Sequence, residues 1–287
     1  MPSSSKFFNF ILFADDSTLS ASLPSLDVEA ISVINSELGN VYRWLCYNKI
    51  AVNYDKTKFI IFNYRRSPDF SPLIKIGKFS IRRTDHIKFL GLIVDEHLKF
   101  NHYSKYIAGK IGKSIGVIYR LSKFLPHNIL RMIYMCLIHP YLVYGIETWY
   151  STHNSVTNNI LILQKRACRA ISGLSYYAHT SEKFKSLSIL KLFDLFRHRV
   201  AVFMHQTLFS EYNVHFKSLL KPLSESHHHD TRNVNLFVIP RYNKTMSQYS
   251  FVYSGVKTWN ELPSELRNIP SLVDFRKKVK NFYLSQY

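Results

Sequence analysis

Cysteine is scarce in this sequence, with three residues that stand far apart at Cys46, Cys136 and Cys168. None forms a Cys-x-x-Cys pair, so the sequence predicts neither a disulfide framework nor a zinc knuckle. No apolar run approaches the roughly 18 residues that a membrane-spanning helix needs. The N-terminus also lacks the basic, apolar and small-residue pattern of a signal peptide. We therefore expect an intracellular protein, in the nucleus or the cytoplasm, with no disulfide partner and no membrane segment.

Acidic residues are also few, with 19 Asp and Glu against 38 Lys and Arg, for a net charge of +19. Cationic side chains that neutralise phosphates release counterions, so this excess favours a polyanionic partner. A nucleic acid and an anionic membrane surface are the two alternatives. Apolar residues make up 46% of the 287 positions, which is ample for a core. The length allows two domains, whereas the oligomeric state is not predictable from the sequence.

Two adjacent carboxylates, Asp15 and Asp16, follow an apolar run over 7–12. Such a run predicts a buried strand, and the small polar residues that come next predict a hairpin turn. Side by side, the two charges repel each other unless a cation neutralises them, and Mg²⁺ binds carboxylate oxygens together with substrate phosphates. The alternative is an ordinary Asp-Asp turn in solvent, because Asp is common in turns.

Apolar periodicity predicts a helix over 26–47, capped by Ser25, and a strand over 57–62. A two-residue turn at Gly77-Lys78 and an apolar strand over 86–95 follow. Near residue 101 the pattern changes to helices, over 103–125, 158–172 and 190–209, with a buried apolar segment at 129–138. Gly173 and Ser271 fit a helix C-cap and N-cap. The loop at 224–244 contains His227-His228-His229-Asp230, for which we predict no metal site, because consecutive residues cannot all face one ion.

Basic residues of the 103–125 helix fall on one face, opposite a row of isoleucines. Three glycines in this helix leave room for another backbone. The pattern predicts contact with a nucleic-acid backbone, with a solvated surface as the alternative. A second basic cluster lies in the 158–172 helix. The predicted nucleic-acid-binding residues are Lys105, Lys110, Lys113, Arg120, Lys123, Lys165, Arg166 and Arg169.

An ordered set of motifs resembles the reverse transcriptase of non-LTR (LINE-type) retrotransposons over nearly the whole chain. The set begins with Phe13-Ala14-Asp15-Asp16, which resembles the metal-binding turn of the polymerase palm. It continues with Asn53-Tyr54-Asp55-Lys56-Thr57-Lys58, Lys88-Phe89-Leu90-Gly91, His139-Pro140-Tyr141-Leu142, Leu163-Gln164-Lys165-Arg166-Ala167 and Trp259-Asn260-Glu261-Leu262-Pro263. The tetrapeptide alone is weak evidence, whereas the order and spacing of the whole set are specific.

The resemblance implies an α+β fold. Residues 1–100 would form part of a palm, an antiparallel sheet with a packed helix. Residues 101–175 would form a helical thumb, and 176–287 a mostly helical C-terminal region. It also implies catalytic roles for Asp15, Asp16 and Lys56, with Mg²⁺ held by the two aspartates and pyrophosphate protonated by Lys56. Phe89, Leu90 and Gly91 would form the primer grip, and the partners would be an RNA template and a DNA primer.

Two parts of such a polymerase have no counterpart here, since the third palm aspartate and the fingers would precede Asp15. We therefore expect a truncated RNA-directed DNA polymerase that is inactive alone, so its status as an enzyme is open. The alternative is a non-catalytic module that binds RNA or an RNA–DNA hybrid. The sequence does not distinguish a truncated element copy from a gene model that begins within the reading frame.

Overall fold

The computed structural model describes residues 1–62, 72–150, 154–210, 214–225, 236–242 and 250–287. Within these ranges the chain divides into two compact units, Met1–Leu98 and Lys99–Tyr287. The first contains short strands and one long helix, and the second is helical. None of the helices in the described ranges is long and apolar enough to cross a membrane. The predicted His227-His228-His229-Asp230 segment lies outside the described residues.

Short strands in the first unit form separate pairs, whereas the resemblance implies an antiparallel sheet. The antiparallel pairs are β1 (Asn9–Phe13) with β2 (Asp16–Ser20), β4 (Lys75–Ile76) with β5 (Phe79–Ser80), and β7 (His86–Phe89) with β8 (Leu92–Asp95). A parallel pair joins β3 (Lys58–Phe59) to β6 (Arg82–Arg83). The strand predicted over 57–62 is thus only two residues long.

Helix α1 (Val28–Tyr47) organises the core of this unit, close to the predicted span. Its N-cap is Asp27, which accepts a hydrogen bond from the Ala30 amide, whereas the predicted cap Ser25 donates to the Asp27 carboxylate. The Asn35 side chain donates to the Leu73 carbonyl and accepts from the Lys75 amide at 3.0 and 2.8 Å. In this way α1 supplies β4 with polar contacts that a neighbouring strand would otherwise provide.

The turn between β4 and β5 is at Gly77-Lys78, as predicted. Gly77 has a φ of +59°, and a Cβ there would lie 2.8 Å from the Tyr42 ring, so both the backbone and the space require glycine.

The second unit packs its helices around two long ones. Helix α2 (Asn101–Leu121) lies mainly against α6 (Asn154–Ser172), while α8 (Leu192–Phe209) contacts helices on several sides. The other helices are α3 (His127–Leu137), α4 (His139–Val143), α5 (Ile146–Trp149), α7 (Ser181–Ser186), α9 (Val214–Ser218), α10 (Phe251–Glu261), α11 (Ser264–Arg267) and α12 (Leu272–Ser285). Helices from both predicted segments, 101–175 and 176–287, share this unit.

Local signals for helix ends agree with the structure at two predicted positions. Gly173 follows α6 with a φ of +63°, and the Ser271 side chain accepts a hydrogen bond from the Asp274 amide at the start of α12. The prediction that 129–138 is buried all round is wrong. Leu130 and Tyr134 are buried, but Met132 and Cys136 are exposed, because only one side of α3 packs on its neighbours.

Candidate functional site

The Asp-Asp segment forms the tip of the β1–β2 hairpin. Phe13 is opposite Asp16 in the register, so the turn consists of Ala14 and Asp15 and the returning strand begins at Asp16. Ala14 adopts a φ of +50°, which this tight reversal requires. Both carboxylates are exposed, and no described residue donates a hydrogen bond to either. The predicted turn is confirmed, and it presents two adjacent carboxylates to solvent.

The apolar residues leading into this turn are not buried, which corrects the prediction. Ile11, Leu12 and Phe13 are 47%, 50% and 62% exposed. The reason is that β1 pairs only with β2, so the hairpin lacks a packed face, and the outer edges of both strands are unpaired in the described residues.

The carboxylate oxygens of Asp15 and Asp16 are the type of ligand that Mg²⁺ prefers in proteins. They do not complete a site. Within the described ranges no third His, Cys, Asp or Glu side chain lies close enough to Asp15 and Asp16 to share one ion. Remaining ligands would have to come from water, a substrate phosphate or another part of a larger protein.

Lys56 lies in a well-defined turn. The Asn53 side chain accepts a hydrogen bond from the Lys56 amide at 3.1 Å, and the Thr57 hydroxyl donates to the Asn53 carbonyl at 2.7 Å. The ring of Tyr54 stacks on Phe79 with a centroid distance of 3.9 Å, which holds the turn against β5. The Lys56 side chain is exposed, and no hydrogen bond or ion pair joins it to Asp15 or Asp16.

The Phe89-Leu90-Gly91 segment contains the end of β7 and the turn that follows it, and not the middle of a continuous strand. Phe89 is opposite Leu92, so Leu90 and Gly91 make the two-residue connection between β7 and β8, with φ values of +44° and +87°. Positive φ at both positions is the backbone of a type I′ hairpin. Glycine is therefore needed at position 91 for its backbone conformation, and Leu90 is 37% exposed at the hairpin tip.

The predicted basic face of α2 is present. Four isoleucines of this helix are buried (Ile107, Ile111, Ile115 and Ile118), and all five predicted cations are exposed (Lys105, Lys110, Lys113, Arg120 and Lys123). Lys123 lies in the turn after the helix, because α2 ends at Leu121. The Lys110 ammonium lies 5.6 Å from the Tyr106 ring.

A glycine stripe lies along one edge of this basic face. At 100° per residue, Gly109, Gly112 and Gly116 project within an arc of about 60° that also contains Lys105. A Cβ added at any of the three would meet no atom within 4 Å. The surface is therefore positively charged and is free of side-chain bulk along one edge.

The basic cluster of α6 is only partly available to a ligand. Arg166 is exposed, Lys165 is half-buried, and the Arg169 Nε atom donates to the Ala178 carbonyl at 2.9 Å. Arg169 thus holds the segment after α6 in place, a structural role that sequence analysis did not predict.

Gln164 is a second residue whose role sequence analysis missed. Its side chain is 1% exposed and makes three hydrogen bonds, donating to the Tyr134 hydroxyl and the Leu190 carbonyl and accepting from the Leu192 amide. All three distances are between 2.9 and 3.0 Å. A glutamine within the apolar face of a helix is the signal that could have identified it, because buried polar groups need partners.

Comparison with known proteins identifies relatives of one kind. The chain is 26% identical over 217 residues to the RNA-directed DNA polymerase from mobile element jockey of Drosophila melanogaster, covering 74% of this chain and 22% of that protein. The corresponding protein of Drosophila funebris is 27% identical over 191 residues, which is 65% of this chain and 20% of the relative. The Pol polyprotein of the type-1 retrotransposable element R1 of Bradysia coprophila is 25% identical over 182 residues, 58% of this chain and 18% of that protein.

These relatives confirm the resemblance to the polymerases of non-LTR retrotransposons. The chain spans about a fifth of the length of the curated relatives that it matches. No family model and no solved structure matches it significantly.

Proposed function

We propose that this chain is the C-terminal part of a non-LTR retrotransposon reverse transcriptase. Met1–Leu98 would supply half of the palm, and the helical unit would supply the thumb and the region that follows it. The observation that carries the proposal is the hairpin with Asp15 in its turn and Asp16 at the start of the returning strand. The homology to RNA-directed DNA polymerases supports it.

In a complete polymerase, this hairpin would present Asp15 and Asp16 to Mg²⁺, which activates a primer hydroxyl and stabilises a departing pyrophosphate. Lys56 would donate a proton to the leaving group from its exposed turn. The β7–β8 turn, with Phe89, Leu90 and Gly91, would support the primer end. Five of these residues are exposed, and Phe89 is half-buried.

The exposed apolar face of β1 supports the view that further strands belong beside this hairpin. Ile11 and Phe13 project from the same face of β1 and are 47% and 62% exposed. In a polymerase palm this face would be covered, and strands carrying the third aspartate would pair with the open edge of the hairpin. Because two carboxylates alone leave the metal site incomplete, we propose that the isolated chain does not catalyse DNA synthesis.

Primer extension tests this proposal. The purified chain is incubated with a primed RNA template, deoxynucleotides and Mg²⁺ or Mn²⁺, and we expect no extension. If the chain extends the primer and its Asp15→Asn variant does not, the proposal that the isolated chain is inactive is refuted. Sequencing the transcript upstream of the Met1 codon tests the assignment itself: a continuing frame with a palm aspartate would support it, and unrelated sequence would contradict it.

A second candidate function is nucleic-acid binding without catalysis, which the basic face of α2 favours. Its exposed cations and bare glycine stripe allow a phosphate backbone to approach the helix axis closely. Such binding would survive in a chain that has no polymerase activity.

Salt dependence of binding to a short RNA–DNA hybrid tests this second function. Lys113→Gln and Arg120→Gln should each lower the affinity and reduce the slope of log affinity against log salt by about 1. The matched control is Lys185→Gln, an exposed lysine of α7. Equal effects of all three substitutions, or tighter binding to anionic vesicles than to the hybrid, would contradict a specific role for α2.

A further inference from the structure

A cleft in the helical unit combines an apolar floor with a cationic rim. It has a volume of about 240 Å³ and lies between α3, α4, α8, α12 and the segment 188–190. Val143, Leu195 and Val202 are among the apolar side chains of its floor. None of the residues predicted from the sequence to bind nucleic acid lines this cleft.

Three cationic side chains surround the opening, namely Arg199, Arg276 and Lys280. Arg199 is neutralised, because its Nε atom donates to the Glu147 carboxylate at 2.9 Å. Arg276 and Lys280 have no acidic partner in the described part of the chain. They are also one turn apart on α12, an arrangement in which like charges repel each other. The cleft therefore carries two positive charges without a counter-charge.

Burial and the nearby cations lower the pKa of two histidines that line the cleft, His139 and His198. The His198 Nε2–H donates to the Arg276 carbonyl at 3.0 Å, which joins α8 to α12. Burial, together with the charges of Arg199, Lys280 and Arg276, lowers the pKa of His198 to about 4. Burial, Lys280 and Arg199 lower the pKa of His139 as well. Both histidines are neutral at pH 7. Of the cations that act on His198, Arg276 and Lys280 are the two without an acidic partner among the described residues, so they are the groups that an anion would neutralise.

We propose that this cleft binds a nucleotide, with the phosphate at Arg276 and Lys280 and the sugar or base on the apolar floor. A guanidinium and an ammonium on adjacent turns offer several donors to the oxygens of one phosphate. The apolar floor favours an anion with a flat or apolar body over inorganic phosphate, since ligand pockets combine apolar walls with a few polar groups. The nucleotide can be free or can belong to a single nucleic-acid strand.

This site is independent of the basic face of α2 and of the proposed polymerase assignment. Residues of the cleft come from α3, α4, α8 and α12, so its substitutions leave α2 unchanged. Failure of one proposal is thus separable from failure of the other.

Equilibrium dialysis of the full chain with radiolabelled AMP at pH 7 tests the proposal, with inorganic phosphate as competitor. A second arm measures the anisotropy of a fluorescent hexathymidylate strand. We expect saturable binding in at least one arm, weakened about tenfold by Lys280→Gln or Arg276→Gln, because each removes a charged donor to the phosphate. Lys280→Arg should retain most of the affinity.

Lys277→Gln and Lys278→Gln are the matched controls, because both residues are exposed on α12 and neither lines the cleft. They should change affinity less than twofold. Binding of AMP identifies a free nucleotide as a ligand, and binding of the strand alone identifies a nucleotide within a chain. Equal weakening by cleft and control substitutions, or no saturable binding in either arm, would overturn the proposal. Arg276 is exposed, so its variant should fold, as thermal unfolding can verify.

Discussion

The two units of this chain differ most in how they bury apolar side chains. Within the described residues, the first unit buries five, at Leu38, Val41, Leu45, Ile74 and Ile76. The helical unit buries a continuous core that includes Ile107, Leu130, Tyr134, Trp149 and Phe275. The first unit nevertheless contains the aspartates, the lysine and the glycine turn to which the proposed function assigns chemistry. The difference teaches that the candidate active site stands on an incompletely covered scaffold, whereas the helical unit has a core of its own.

The largest effect should come from removing a central side chain of the helical core. Trp149→Ala should destabilise the helical unit by about 3–5 kcal/mol, because it deletes a fully buried indole and its hydrogen bond to the Tyr144 carbonyl. Urea denaturation followed by circular dichroism measures the loss. Tyr177→Ala, at a ring that is 88% exposed, is the control. Similar midpoints for both variants would contradict a tightly packed core.

Gln164→Met should cost about 2–4 kcal/mol in the same unit. Methionine keeps the length of the side chain but leaves the Leu190 carbonyl and the Leu192 amide without the partners that Gln164 gives them. Denaturation of this variant beside Ile162→Met, at a half-exposed position of the same helix, measures the difference. If Gln164→Met loses less stability than Ile162→Met, water satisfies the Leu190 carbonyl and the Leu192 amide in place of the glutamine.

Acid should weaken the helical unit through His198. The folded-state pKa of about 4 lies below the ordinary value of 6.5, so the unfolded chain binds a proton first as pH falls. Stability is therefore fully present above pH 6.5 and is lost towards pH 4, by roughly 1–3 kcal/mol. His198→Gln should keep a donor for the Arg276 carbonyl and reduce this slope. An unchanged slope in that variant would assign the acid sensitivity to other groups, such as His139.

A glycine substitution in α2 should have a smaller effect, and it should raise stability instead of lowering it. Gly112→Ala should stabilise the helical unit by about 0.5–1 kcal/mol, because its Cβ meets no atom and alanine favours a helix. The same substitution should weaken binding of an RNA–DNA hybrid if the stripe contacts a backbone. Thermal unfolding and anisotropy of a labelled hybrid measure the two effects. If Gly112→Ala is stabilised but binds the hybrid with unchanged affinity, the glycine stripe does not contact the nucleic-acid backbone.

The smallest effect should be found in the first unit. Phe13→Ser should change stability by less than about 0.5 kcal/mol, since the ring is 62% exposed, and should increase solubility. Val41→Ser, at a side chain that is 1% exposed, should be clearly destabilising. Chemical denaturation of the two variants compares these positions. A large loss for Phe13→Ser would show that the hairpin is covered in solution.

Sequence reasoning was most successful where the signal is local. Helical periodicity located α1 and α2 within a few residues, and the turn residues Asp15, Gly77 and Gly173 lie where they were predicted. Periodicity reports which side of an element is apolar, but it does not report whether another element covers that side. The exposure of Phe13 and of Met132 on α3 was therefore not predictable.

Local sequence patterns also did not predict the sites whose residues come from distant segments of the chain. The cleft unites Arg199 of α8 with Arg276 and Lys280 of α12, and no spacing rule connects these helices. Gln164 similarly acts on the first residue of α8 from another helix. Strand pairing is equally non-local, which is why the parallel contact of β3 with β6 was missed.

The start of α8 has a consequence for the order in which the chain folds during synthesis. The Tyr287 hydroxyl accepts a hydrogen bond from the Lys191 amide and donates one to the Asp194 carboxylate, both at 2.7 Å. Asp194 and Tyr287 are 93 positions apart. At about 5–20 residues per second, a ribosome needs roughly 5–20 seconds to complete the intervening segment. Throughout that interval the first turn of α8 lacks its hydrogen bonds to Tyr287. The packing of this helical unit is therefore completed late in the synthesis of each molecule.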